Sequence, residues 1–219
     1  MLKSKIQSEY EKHAGERICQ GDILRDFEFE VIEKSTDQSR SYKRILLQYG
    51  VIVSQDCDLK YGQQPSKPTA SGSILHHQYL PTLLLLPAFP SDFVKSGQHL
   101  KDLFSIEQSP ISKSKGDWET LLQQKDERYH YIAPNADFQV PSLIVDFKLY
   151  FGVYKDYVLS KYKQCYLVTI NELYRELLSQ RFSNYLSRIG LPDPPESKAS
   201  VPTPAPPPPD ISPAMTPQS

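Results

Sequence analysis

Residues 27–32 read FEFEVI, with an apolar side chain at every second position. Because side chains alternate between the two faces of a strand, this spacing predicts a strand with one buried face. Residues 45–53, ILLQYGVIV, predict strand segments at 45–47 and 50–53 with a bend at Gly50. Residues 83–86, LLLL, predict a buried strand that ends at Pro87. The three stretches indicate a fold built on a sheet.

Further strands are predicted at 129–132, 143–147 and 166–170, and a short helix at 116–126. A longer helix is predicted to follow Asn171, which is a good N-cap residue, and to run to Ile189. Gly190 supplies its C-terminal stop. Several short strands separated by turn residues are typical of a small barrel or sandwich, so the predicted fold class is α+β.

The composition predicts one ordered domain, residues 1–190, followed by a tail at 191–219. The chain has 219 residues, of which 39% are hydrophobic, enough for a packed core. The tail holds 11 of the 19 prolines and no aromatic residue, which predicts a disordered, proline-rich segment. The formal net charge of -1 disfavours a duplex DNA-binding domain, since such domains are usually strongly basic.

The spacing of the cysteines and histidines disfavours a disulfide framework and a metal site. The three cysteines, Cys19, Cys57 and Cys165, are odd in number and far apart, which favours a reducing, cytoplasmic location over a disulfide framework. His76 and His77 are adjacent, and adjacent residues of a strand point to opposite faces, so no metal site is predicted. No cofactor is expected. The longest apolar run is too short for a membrane span.

The motif Ser54-Gln55-Asp56-Cys57-Asp58 directly follows the predicted strand 50–53. Polar residues at the end of a strand often form sites. Cys57, as a nucleophile, and Asp58, which could orient a base, are the candidate catalytic residues, while Ser54 and Gln55 are candidate ligand-binding residues. Alternatively, the polar residues satisfy a turn and Cys57 is a small buried side chain.

Arg175 falls on the apolar face of the predicted long helix. A buried guanidinium needs a carboxylate or carbonyl partner, and Asp146, within the apolar run LIVDF, needs a partner too. We therefore predict that Asp146 or Asp58 pairs with Arg175, and that Arg181 adds positive charge nearby. The pair could hold the helix on the sheet, or it could form an anion or phosphate pocket with the residues of the motif.

Two resemblances cover parts of the chain. The strings GVIVSQDCDL, RYHYIAP, LIVDFKLYF and YRELLSQRFSNYLSRIGLP resemble an uncharacterised bacterial family with an S-Q-x-C-D motif. This resemblance implies a bacterial, cytosolic protein and no particular activity.

The order QGDIL, VIVSQ and LLLLPAF across residues 17–153 resembles the PemK/MazF-like toxin barrel. That resemblance implies a small SH3-like β-barrel, here with an inserted helix and a long C-terminal helix, and cleavage of single-stranded RNA. The family's Arg-Pro is replaced by Gln48-Tyr49-Gly50, and its hydroxyl residue after the proline is replaced by Ala88-Phe89. These departures predict weak or absent catalysis.

The leading functional hypothesis is a non-catalytic or weakly catalytic barrel module that binds RNA or a protein partner in bacterial stress or defence. The alternatives are a toxin-type RNA endonuclease, a cysteine-dependent hydrolase, and a structural adaptor whose proline-rich tail binds an SH3-like partner.

Overall fold

A computed structural model of the protein describes residues 8–14, 17–35, 39–63, 80–111 and 115–188. Its strands are β1 Tyr10–Glu11, β2 Asp22–Ser35, β3 Arg40–Ile52, β4 Thr82–Pro90, β5 Tyr129–Ile132, β6 Leu143–Asp146, β7 Phe151–Tyr154 and β8 Tyr166–Ile170. Its helices are α1 Asp56–Gln63, α2 Ser91–Lys95, α3 Lys101–Phe104, α4 Lys115–Leu122, α5 Lys155–Cys165 and α6 Glu172–Leu186. The predicted tail and the pair His76 and His77 lie outside the described residues.

The strands form one antiparallel sheet in the order β1-β8-β2-β3-β4-β6-β5, and β7 pairs with β4 beside β6. The sheet curls into a half-barrel, and the combination of this antiparallel sheet with helices confirms the α+β class. Its centre is the long β2–β3 hairpin, in which Phe27 lies opposite Leu47 and Phe29 opposite Ile45. All four side chains are buried, as the alternating pattern predicts.

The two predicted segments 45–47 and 50–53 belong to one strand, because β3 pairs continuously through Gly50. Gly50 lies opposite Leu24 on one side and Pro87 on the other. A Cβ atom at Gly50 would lie 3.2 Å from the Leu85 side chain. The glycine therefore allows close packing within a regular strand.

The strand predicted at 83–86 was expected to end at Pro87. This prediction is wrong, since β4 continues to Pro90. On one side, Pro87 pairs with β3. On the other side, β4 changes partner. Its residues up to Leu85 pair with β7, and its residues from Ala88 onward pair with β6. Pro87 falls between these two partners, where a missing N–H removes no ladder bond along that edge.

Both faces of the sheet are covered, which explains the apolar run in β4. Leu83 and Leu85 pack in one core cluster with Phe27, whereas Leu86 and Ala88 pack in a second cluster on the opposite face. Helix α6 covers the second cluster through Leu178 and Phe182, which are both buried. Helix α5 covers the first through Val158 and Tyr162.

Helix α6 begins directly after Asn171, as predicted, but it ends at Leu186, so the prediction that it runs to Ile189 is wrong; Gly190, the predicted stop, lies outside the described residues. The predicted helix at 116–126 is α4, and the three later strands are found close to their expected positions. No helix within the described ranges is long and apolar enough to cross a membrane.

Candidate functional site

The polar motif and helix α6 line an open cavity with a volume of about 680 Å³. One wall is the end of β3 with the start of α1, and the other is the face of α6 that carries Glu176, Ser179 and Ser183. Its full lining is Gln20, Val53, Ser54, Gln55, Asp56, Cys57, Asp58, Leu80, Thr82, Leu84, Glu176, Ser179, Phe182, Ser183 and Leu186. The motif therefore lies in a cavity, where the sequence predicts a site.

Ser54 is fixed by the sheet. Its Oγ accepts a hydrogen bond of 2.8 Å from the backbone N–H of Leu84, and the Val53 N–H donates to the Leu84 carbonyl at 3.0 Å. These bonds extend the β3–β4 pairing by one residue beyond the strand. Ser54 thus satisfies a backbone donor, which is the structural role left open by the sequence.

Gln20 joins three elements at the base of the cavity. Its Oε1 accepts from the Asp56 N–H at 3.3 Å, and its own backbone N–H donates to Asp56 Oδ1 at 3.3 Å. Its Nε2 donates to Ser179 Oγ of α6 at 2.7 Å. Because Gln20 is 5% exposed, these bonds fix the turn, the motif and α6 relative to one another.

The charged groups that line the cavity are carboxylates, those of Asp56, Asp58 and Glu176. Two arginines approach them from outside the lining: Arg17 lies 3.2 Å from Asp56 and Arg175 lies 3.8 Å from Glu176. The cavity thus presents acceptor oxygens over apolar walls and presents no guanidinium. Phosphate oxygens would be repelled by this lining.

Cys57 is exposed at the start of α1, and its Sγ lies 3.6 Å from Gln55 Oε1 and 3.8 Å from Asp58 Oδ1. A thiolate nucleophile needs a cation or a general base beside it. The residues that line this cavity include no histidine, lysine or arginine. Among the described residues that line the cavity, only carboxylates and an amide lie near Cys57, and no cation lies there to stabilise its thiolate.

The predicted pairing of Arg175 with Asp146 or Asp58 is wrong. Arg175 approaches Glu176, one residue along the helix, at 3.8 Å. Its aliphatic stem instead packs over the turn at Gly21, where an added Cβ would lie 3.0 Å from Arg175 Cβ. Gly21 has a φ of +85°, which favours glycine. The apolar position of Arg175 is thus explained by its methylene groups.

Asp146 pairs with Arg128. Arg128 Nε donates to Oδ1 at 2.8 Å and Nη2 to Oδ2 at 2.5 Å, and His99 Nε2 lies 3.5 Å from Oδ2. Burial raises the pKa of Asp146, but the hydrogen bonds and charge of Arg128, with the nearby His99 imidazole, outweigh it, so the pKa lies below its ordinary value. Asp146 is fully buried and lies outside the cavity.

Arg181 is engaged by the backbone. Its guanidinium donates to the carbonyls of Gln124, Asp126 and Tyr129, with distances of 2.5 Å to Asp126 and 2.9 Å to Tyr129. It thereby joins α6 to the segment between α4 and β5. The structure does not bring Arg181, Asp146 and Arg175 together with Ser54 and Gln55.

A second polar cluster, which the sequence-based predictions missed, surrounds Asp22. This carboxylate is fully buried. It accepts from Cys19 N–H at 2.6 Å, Tyr162 hydroxyl at 2.5 Å and Thr169 hydroxyl at 2.7 Å. His13 Nε2 lies 3.2 Å from Oδ1. The QGD turn that contains Asp22 was noticeable in the sequence, but the partners come from distant elements.

Burial dominates the electrostatics of this cluster. It raises the pKa of Asp22 against four opposing contacts, those with Tyr162, Cys19, Thr169 and His13. Burial and the neighbouring Asp22 raise the pKa of the Cys19 thiol to about 11. Burial and Asp22 also raise the pKa of Tyr162 above its ordinary range.

Comparison with known proteins gives no match: no family model matches the chain, and no curated protein matches it.

Proposed function

We propose that the protein is a binding module whose cavity between the Ser54–Asp58 motif and α6 receives a basic, amphipathic segment of a protein partner. The observation that carries this proposal is the lining of the cavity, which combines apolar side chains with three acidic residues, Asp56, Asp58 and Glu176, and contains no basic residue. Lysine or arginine side chains would complement the carboxylates, and apolar side chains would pack on Phe182, Leu84 and Leu186.

The surface beside the cavity favours a peptide over a small solute. Leu186 lines the cavity and is 50% exposed. Leu84, on the β4 wall of the cavity, is 39% exposed. Exposed apolar side chains of this kind mark surfaces that other proteins cover. A segment longer than the cavity could bury them.

An RNA-binding function and an enzymatic function have less support than the binding of a basic peptide. The arginines expected to bind phosphate do not line the cavity: Arg181 binds backbone carbonyls, and Arg175 lies outside the lining with its Nε 3.8 Å from Glu176. For a cysteine-dependent hydrolase, a base near Cys57 is missing from the cavity lining. A toxin-type endonuclease would in addition need charge stabilisers for the scissile phosphate in this cavity.

The PemK/MazF-like barrel remains part of the proposal. The curled antiparallel sheet and the consecutive pairing of β2, β3 and β4 support it. Such a barrel with a protein partner would suit a role in bacterial stress or defence. A structural adaptor that acts through the segment 191–219 is the alternative.

The test is fluorescence anisotropy with three labelled probes: a basic amphipathic peptide, an acidic peptide of the same length, and a single-stranded RNA. The wild-type chain is expected to bind the basic peptide in preference. Glu176→Lys should weaken that binding roughly tenfold, which is about 1.4 kcal/mol. Glu172→Lys, on the same helix but outside the cavity lining, is the matched control and should leave affinity nearly unchanged.

Equal weakening by the two variants would show that general charge, and not the cavity, governs binding. Tighter binding of RNA than of the basic peptide would overturn the proposal in favour of a nucleic-acid module. Unchanged binding after removal of residues 191–219 would exclude the tail as the binding element.

A further inference from the structure

We propose that His13, Cys19 and Asp22 form a site for a divalent transition metal, with zinc as the ion that their donor atoms fit best. The three side chains offer an imidazole nitrogen, a sulfur and a carboxylate oxygen, which lie within 4.8 Å of one another. Nitrogen, sulfur and oxygen donors together are typical ligands of zinc.

The distances suit a common ion. Two ligand atoms bound to one tetrahedral zinc through nitrogen and oxygen are separated by about 3.4 Å. His13 Nε2 and Asp22 Oδ1 are 3.2 Å apart. A zinc-bound sulfur would lie about 3.6 Å from each of them, so Cys19 Sγ needs to approach by no more than about 1 Å. Three protein ligands leave a fourth position for another ligand.

The surroundings of Asp22 resemble the support that metal-binding carboxylates receive. Tyr162 and Thr169 donate to its two oxygens, and the Cys19 N–H donates to the same oxygen as Tyr162. Such outer contacts orient a ligand toward the ion. The carboxylate is fully buried, and its neighbours are two hydroxyls, a backbone amide and one imidazole. A bound cation would compensate its charge.

An access path is present, because the side chain of His13 is 26% exposed whereas that of Asp22 is fully buried. An ion can therefore reach the site from the His13 side. The turn that supplies Cys19 and Asp22 also carries Gln20 to the cavity. This site is separate from the cavity lining and does not depend on the function proposed for it.

The experiment is a titration of the purified, untagged, chelator-treated full chain with Co²⁺ alone, followed by absorption spectroscopy. We expect one Co²⁺ per chain, the intense visible bands of a tetrahedral ion, and a near-ultraviolet charge-transfer band from a thiolate ligand. Zn²⁺ added afterwards should displace Co²⁺ and remove these bands.

Cys19→Ser is expected to abolish the charge-transfer band and to weaken binding at least tenfold. His13→Gln should weaken binding similarly, and its partial exposure makes it the variant least disruptive to the fold. Circular dichroism and a urea midpoint confirm that each variant is folded. The matched controls, Cys57→Ser with Cys165→Ser and His76→Ala with His77→Ala, should leave the spectrum unchanged.

Two results would overturn the proposal. One is the absence of a thiolate band in the wild-type chain, which would make the cluster a hydrogen-bond network that holds β2, β8 and α5 together. The other is a band that survives Cys19→Ser or disappears in either control, since the ion would then bind elsewhere.

Discussion

Replacing Arg128 by alanine should destabilise the fold strongly, because it leaves the carboxylate of Asp146 buried without its main partner. The Asp146 side chain is 0% exposed and receives two hydrogen bonds from Arg128, at 2.8 and 2.5 Å. Removing one member of a buried pair typically costs about 3–5 kcal/mol. The remaining neighbours, His99 Nε2 at 3.5 Å and the Lys148 N–H at 3.1 Å, can offset only part of this.

The matched control is Arg44→Ala. Arg44 lies 2.6 Å from Glu28, but the two side chains are 70% and 44% exposed. Exposed pairs contribute about 0–1 kcal/mol, so this variant should change the free energy of unfolding little. Urea denaturation of both variants and of the wild-type chain at pH 7.5 measures the difference. Similar losses in the two variants would refute the argument that burial makes the Arg128 pair important.

The pH dependence separates a lost charge partner from lost packing. In the wild-type chain the pKa of Asp146 is lowered, so its contribution is present above the unfolded pKa and is lost as the pH falls through the folded value. In Arg128→Ala, burial acts without the arginine and raises that pKa. The destabilisation should then be largest near neutral pH and shrink as the pH approaches 4. A loss that is independent of pH would contradict this sign.

Two further predictions concern His130 and Cys57. Burial and the charge of Arg181 lower the pKa of His130 to about 3, so protonation favours the unfolded chain between pH 6.5 and about 3. Stability should fall by about 1.4 kcal/mol per pH unit in this window, and urea midpoints of His130→Phe should show a correspondingly weaker pH dependence. Cys57→Ser should leave peptide affinity within about twofold, since the proposed contacts of the peptide are with acidic and apolar side chains. A loss of affinity measured by anisotropy, together with a thiol-dependent turnover, would favour the cysteine-dependent hydrolase.

The elements that the sequence predicts well are those whose pattern is set by local burial. The alternation in residues 27–32 and the start of α6 after Asn171 are local signals, although the Asn171 side chain makes no capping hydrogen bond and only its carbonyl accepts from Tyr174 and Arg175. Helix α5 was missed because its buried face consists of only Val158 and Tyr162 among polar residues. Pro87 misled the prediction because its position depends on where β7 gives way to β6, which is a property of the whole sheet.

The site was predicted in part for a similar reason. Ser54 to Asp58 lie in the cavity because a polar motif after a strand is a local signal. The partner of Asp146 was not predictable, since Arg128 reaches it through the register that places Tyr129 opposite Asp146. Arg175 appeared to need a carboxylate, yet the space above Gly21 accommodates its stem.

Gln20 shows why the cavity requires a particular side chain at its base. The position needs an acceptor for the Asp56 N–H and a donor for Ser179 Oγ at the same side-chain length. An amide supplies both, whereas a glutamate would offer acceptors alone and a leucine neither. A glutamate would also place a fourth carboxylate beside Asp56, inside a lining that already holds three. The amide therefore joins the turn, the motif and α6 without adding charge, and the acidic groups stay at positions where a basic partner could reach them.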